Sequence, residues 1–184
     1  MKKSFSTVLM ALAFAGSACV AQSAHAAVDI SKAAAAVTLP NGGSASFGDK
    51  FKNNQATNFF GEKFTFTTTG LTDVDMIVTS TSTKAENGLN LTGFALFDGR
   101  NHQVSGGQQL LTGIEDKWTL SAKHLAAGSY YFLVSGNVVS NTGGAFGANG
   151  SVLSAVPEAD TYAMLLAGLG LLGLVARRRG GKAA

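Results

Sequence analysis

The stretch Gly61-Glu62-Lys63-Phe64-Thr65-Phe66-Thr67 puts Phe64 and Phe66 on one side of an extended chain and Lys63, Thr65 and Thr67 on the other. That period of two belongs to a strand; a helix, with its period of 3.6, would scatter the same residues. Similar β-favouring runs recur at Val74–Thr83, Leu91–Gly99, Asp116–Ser121, Ser129–Val139 and Gly150–Val156. Turn residues separate them: Asn41-Gly42-Gly43, Thr68-Thr69-Gly70, Glu86-Asn87-Gly88, Asp98–Asn101 and Ala126-Ala127-Gly128. Seven or eight short strands so spaced predict an all-β domain, an antiparallel β-sandwich over residues 27–155. Ile30–Val37 reads as a first strand running into Leu39, with a short helix as the alternative. The glycine-rich segment Asn141–Gly150 reads as a flexible hairpin.

Two segments of this domain echo each other, Phe47–Phe51 (FGDKF) and Phe60–Phe64 (FGEKF). On strands, Phe47, Asp49 and Phe51 share a face, as do Phe60, Glu62 and Phe64. A carboxylate between two core-facing aromatics needs partners, because an unpaired buried charge is costly. The expectation is a structural role at the sandwich rim, with backbone N–H groups as donors; ligand binding is the alternative.

The flanks differ in kind. Residues 1–26 begin with Lys2 and Lys3, continue with an apolar run from about Val8 to Val20, and end with small residues at Ala24 and Ala26. This is the layout of a secretory signal peptide cut before Ala27. An uncleaved helix, or lipidation at Cys19, is the alternative. Cys19 is the one cysteine, so the processed chain has none and must hold itself together by its core. Residues 27–156 carry eight Lys/Arg and nine Asp/Glu, a net charge of −1, so the basic excess of the whole chain lies at its ends. No basic patch interleaved with aromatics is present, and nucleic acid is not an expected partner.

Residues 156–184 contain Val156-Pro157-Glu158-Ala159, a Leu/Gly-rich run within 162–176, and Arg177, Arg178 and Arg179 opening a basic tail over 177–182. The run predicts a transmembrane helix with the arginines on the cytoplasmic side. This order of features resembles the PEP-CTERM sorting signal of exported bacterial proteins, read by the membrane-embedded cysteine protease exosortase. Ala159 stands where that family usually has a second proline. The literal Phe47, Asp49, Phe51 pattern further resembles the FxDxF group of PEP-CTERM proteins, with Phe60, Glu62, Phe64 as the other candidate for its motif. The Leu125–Asn137 strand and the Gly-aromatic-Gly segment after it look like sandwich domains of the pre-peptidase C-terminal type, which are jelly-roll-like. The resemblance implies a protein exported by the Sec machinery and held transiently in the inner membrane. It further implies cutting by exosortase and delivery to the cell surface or outside, with exopolysaccharide as a candidate partner.

Chemistry is sparsely signalled. The processed chain has His102 and His124, no thiol, no G-x-S-x-G elbow and no H-E-x-x-H. A non-catalytic surface or matrix protein without a cofactor is expected. A carbohydrate-binding module is the first alternative and a secreted hydrolase the second. Asp73 and Asp75 on one strand face, and Asp98 with Asn101 in a turn, are weak calcium candidates; the bland reading is turn building. Trp118, Tyr130 and Tyr131 are candidate sugar platforms. Trp118 is expected in the core, and alternation predicts that one of the two tyrosines faces out. Thr79–Gly88 is hydroxyl-rich and is a candidate for O-glycosylation or a polar strand face.

Overall fold

A computed structural model describes residues 26–39, 43–154 and 159–180. Its strands are β1 (Ala35–Ala36), β2 (Gly43–Phe51), β3 (Phe59–Thr68), β4 (Thr72–Thr81) and β5 (Leu89–Asp98). They continue as β6 (Gln103–Gly106), β7 (Gln108–Leu111), β8 (Glu115–Leu125), β9 (Gly128–Val138) and β10 (Gly144–Ser154). Helix α1 covers Ala159–Gly180. The strands form two five-stranded sheets, β1-β3-β9-β5-β6 and β2-β10-β4-β8-β7. Every pairing is antiparallel except β1 with β3. The domain is the predicted all-β sandwich.

Alternation sorts the side chains as the sequence suggests. On β3, Phe60, Glu62, Phe64 and Phe66 are buried while Phe59, Lys63 and Thr65 are exposed. β4 buries Val74, Met76 and Val78 from the opposite sheet, and β9 buries Phe132 and Val134. Phe132 lies at the centre of an aromatic cluster, with ring centroids 4.8 Å from Phe66, 5.2 Å from Phe47 and 5.8 Å from Phe94. Offset stacking of this kind adds to the area each ring buries.

Three expectations are corrected. Residues 144–150, read as part of a flexible hairpin, lie in β10, an interior strand of the second sheet between β2 and β4. Its glycines serve packing. A Cβ on Gly150 would run into the Asp75 carbonyl and lie 2.5 Å from the Met76 sulfur, and one on Gly144 would lie 2.8 Å from Leu89. Ile30–Val37 forms only a two-residue strand; Ile30 and Val37 are each anchored to β3 by a backbone hydrogen bond. Finally, no helix among the described residues is long and apolar enough to cross a membrane. Helix α1 exists, but its uncharged stretch runs only from Thr161 to Ala176, between Asp160 and Arg177. At ~1.5 Å per residue this is shorter than the ~30 Å hydrocarbon layer. Met164, Leu165, Leu166, Leu169, Leu171 and Leu172 on it are all exposed.

Where the two sheets meet at β5 and β8, buried polar groups close an edge. The register of β5 on β9 shifts between Leu91 and Gly93. β6 pairs only with Ala95–Phe97, so it does not reach Leu91. The opposite sheet supplies the missing partners. The Leu91 N–H donates to Asp116 Oδ2 at 3.0 Å, and its carbonyl accepts from Trp118 Nε1 at 3.1 Å. Asp116 is 1% exposed and also accepts from the Gly113 N–H at 3.2 Å. Buried backbone groups without partners are costly, so this pair of side chains is a structural requirement.

Candidate functional site

The two FxDxF-like segments meet each other. β2 and β3 lie in different sheets and face one another across the sandwich. The Phe47 ring stacks on Phe64 at 4.4 Å and the Phe51 ring on Phe60 at 4.3 Å. Asp49 and Glu62 are the central residues of the two triplets, and the segment after Val28 ties them together. Lys32 donates its backbone N–H to Glu62 Oε1 at 3.0 Å. Its ammonium pairs with Asp49, donates to the Lys50 carbonyl at 3.0 Å, and sits 5.3 Å from the Phe51 ring centroid. One lysine thus serves both carboxylates and pins the N-terminal strap over the seam between the sheets. The expected backbone donor is present at Glu62; Asp49 takes the ammonium and its neighbour's N–H at 2.6 Å.

Glu62 is 3% exposed, and burial pushes its carboxyl above the ordinary value of 4.5. The Lys32 N–H pulls the other way, while the nearby Asp49 charge adds to the rise. A raised carboxyl favours the folded state most when protonated. Its stabilisation is full below about pH 4.5 and is lost as pH rises through the folded value. The aspartates Asp29, Asp75 and Asp98 are shifted downward from 3.8, so their contribution is lost as pH falls below that value. The windows are separate. Between about pH 4.5 and 7, wild-type melting temperature is expected to fall relative to Glu62→Gln, which keeps the acceptor for Lys32 and loses the titration. Parallel melting curves across that range would contradict the placement.

The other candidates are drawn into local structure. The Lys123 ammonium lies 2.6 Å from Asp75 and 3.8 Å from Asp73, and the second Asp73 oxygen accepts the His124 N–H at 2.7 Å. Both carboxylates are thus paired with a lysine. Asp98 accepts the N–H groups of Arg100 and His102, each at 2.8 Å, which makes it a turn builder. Among the described residues no group of three or more His, Cys, Asp or Glu could hold a metal ion. Trp118 packs against the core with its N–H used. Tyr130 stacks on Phe66 and donates to the Ala126 carbonyl at 3.0 Å. Tyr131 is the tyrosine that faces out. Phe97 stacks on it at 5.2 Å, Lys63 Nζ lies 5.1 Å from its ring centroid, and its hydroxyl donates to Asn101 at 3.0 Å.

The signal-cleavage residue Ala24 and the motif residues Val156, Pro157 and Glu158 lie outside the described residues. Ala26 and Ala27 are exposed at the start of the described chain, and Ala159 opens α1, which runs through Arg177, Arg178 and Arg179.

These features define a β-sandwich followed by a C-terminal helical segment. The family model of the PEP-CTERM protein-sorting motif matches residues 155–179, so the chain carries that motif. Such a motif implies exosortase-dependent sorting of an exported protein at the membrane. A similar solved structure is the pre-peptidase C-terminal domain of a collagenase from Bacillus anthracis. It shares 17% identity and a TM-score of 0.35, over 69% of this chain and 94% of that one. No curated protein matches the chain.

Proposed function

We propose that this is a non-catalytic protein of the cell surface or exopolysaccharide matrix, exported, cut near Pro157–Glu158 by an exosortase, and released or passed on as the sandwich. The observation that carries the reading is the sorting motif at 155–179, directly after the last strand of a self-contained domain. The FxDxF grouping is part of the proposal, supported by the facing triplets centred on Asp49 and Glu62. The non-catalytic role is supported by how the polar groups are used. Asp73, Asp98, Asp116 and Glu62 all accept backbone N–H groups and hold turns or strands in place.

A chain truncated after Ser154 tests the sorting step. It is expected to be exported and to accumulate in soluble form, without the membrane-associated precursor that the full chain shows in pulse-chase fractionation. A truncated chain that reaches the same final fraction at the same rate as the full chain would refute a sorting role for the tail.

A further inference from the structure

The outer face of the second sheet carries aligned rows of polar side chains. Cross-strand register aligns Ser151 of β10, Asp75 of β4 and Ser121 of β8 in one row. The next row is Asn149, Ile77, Thr119 and Gln108, running from β10 to β7. These rows line a shallow groove of about 670 Å³. The β6–β7 corner walls one end. Gly107 makes that approach possible, because a Cβ there would lie 2.7 Å from the Phe94 carbonyl and 3.0 Å from the Thr119 carbonyl.

The lining is neutral in sum. Asp75 is its one ionisable residue, and Lys123 holds that carboxylate. The hydroxyls and amides each donate and accept hydrogen bonds. In their midst Ile77 is 41% exposed, an apolar spot in a polar floor. Successive side chains in a row stand one strand apart, ~4.8 Å. An extended pyranoside chain repeats at nearly that spacing and offers the matching chemistry, hydroxyls on the ring edge and C–H groups on the ring face.

Other occupants fit less well. A peptide strand needs free backbone groups, and those of β4, β8 and β10 are engaged on both sides by neighbouring strands. A polyanion needs cations, and the groove has none to spare. The first sheet has cavities of about 670 and 590 Å³, but charge stands in both: Lys63 lines each of them, and Asp29 and Lys32 line the larger.

We infer that this groove binds a neutral polysaccharide chain laid across β10, β4, β8 and β7, with Asn149, Thr119 and Gln108 hydrogen-bonding its hydroxyls and Ile77 under a ring face. The inference rests on the reading of an exported surface protein, and it gives that protein its ligand class.

Affinity electrophoresis of the full chain in mild detergent tests it, through gels cast with hydroxyethylcellulose, glucomannan or alginate. Retardation is expected in at least one neutral gel and not in alginate. Asn149→Lys and Gln108→Ala, both at exposed positions, are expected to weaken it about tenfold and about threefold, a loss of one to two hydrogen bonds. Tyr131→Ala is expected to leave it unchanged. Unfolding midpoints followed by Trp118 fluorescence confirm that each variant is folded. Absence of retardation in both neutral gels, retardation by alginate, or loss with Tyr131→Ala but not with the folded groove variants would each overturn the assignment. The binding assay is independent of processing, so its failure leaves the sorting reading standing.

Discussion

Phe132→Ala is expected to lower the unfolding free energy by about 3–5 kcal/mol, more than any other single truncation in the sandwich core. The ring is fully buried, stacks on Phe47 and Phe66 and meets Phe94 at a tilt, the three coming from different strands. Truncation removes that burial and leaves a cavity whose aromatic walls, fixed on two stiff sheets, collapse poorly. With no cysteine after Cys19, no disulfide offsets the loss. Urea denaturation followed by the single tryptophan, Trp118, measures it. Leu153→Ala, 52% exposed, is the control and is expected to shift stability by no more than about 0.5 kcal/mol. A loss below about 1 kcal/mol at Phe132 would mean that the aromatic cluster is not the centre of the core.

Asp116→Ala comes next, at about 3 kcal/mol. The carboxylate accepts two backbone N–H groups, and one of them, that of Leu91, has no alternative acceptor within its own sheet. Removing it breaks charge-assisted bonds and leaves a buried donor unpaired. Asp116→Asn keeps the shape but supplies one good acceptor in place of two, so it should fall between wild type and alanine. Hydrogen exchange at the Leu91 amide should quicken in both variants. Equal, small effects of Asn and Ala would show that this edge is held by something else.

Period-two alternation is enough to assign the faces of β3, β4 and β9, and with them the class of the fold. It also places each FxDxF-like triplet on an inward face. It does not show that the triplets pack against each other. That contact crosses between sheets, and its keystone, Lys32, lies 17 residues from Asp49 and 30 from Glu62 in sequence. Nothing local marks a lysine for such a task. The expectation of a flexible hairpin at Asn141–Gly150 fails for a clear reason. Glycine signals turns because of its backbone freedom, yet Gly144 and Gly150 stand in β10 because Leu89, Met76 and the Asp75 backbone leave no room for a Cβ. The tail is legible as a motif, whereas the expected spanning helix is not found: no helix among the described residues is long and apolar enough to cross a membrane. Of the sugar-platform candidates, alternation separates Tyr131 from Tyr130. The groove on the opposite sheet leaves no mark in the sequence, because its Ser, Thr, Asn and Gln residues align only through strand register.

The most direct test of the account is the intact mass of the native protein from cells with and without the exosortase. The account predicts a species beginning at Ala27 and ending near Pro157 in the first case and a longer, tail-bearing species in the second. A chain that retains its residues through Ala184 in both strains would contradict it.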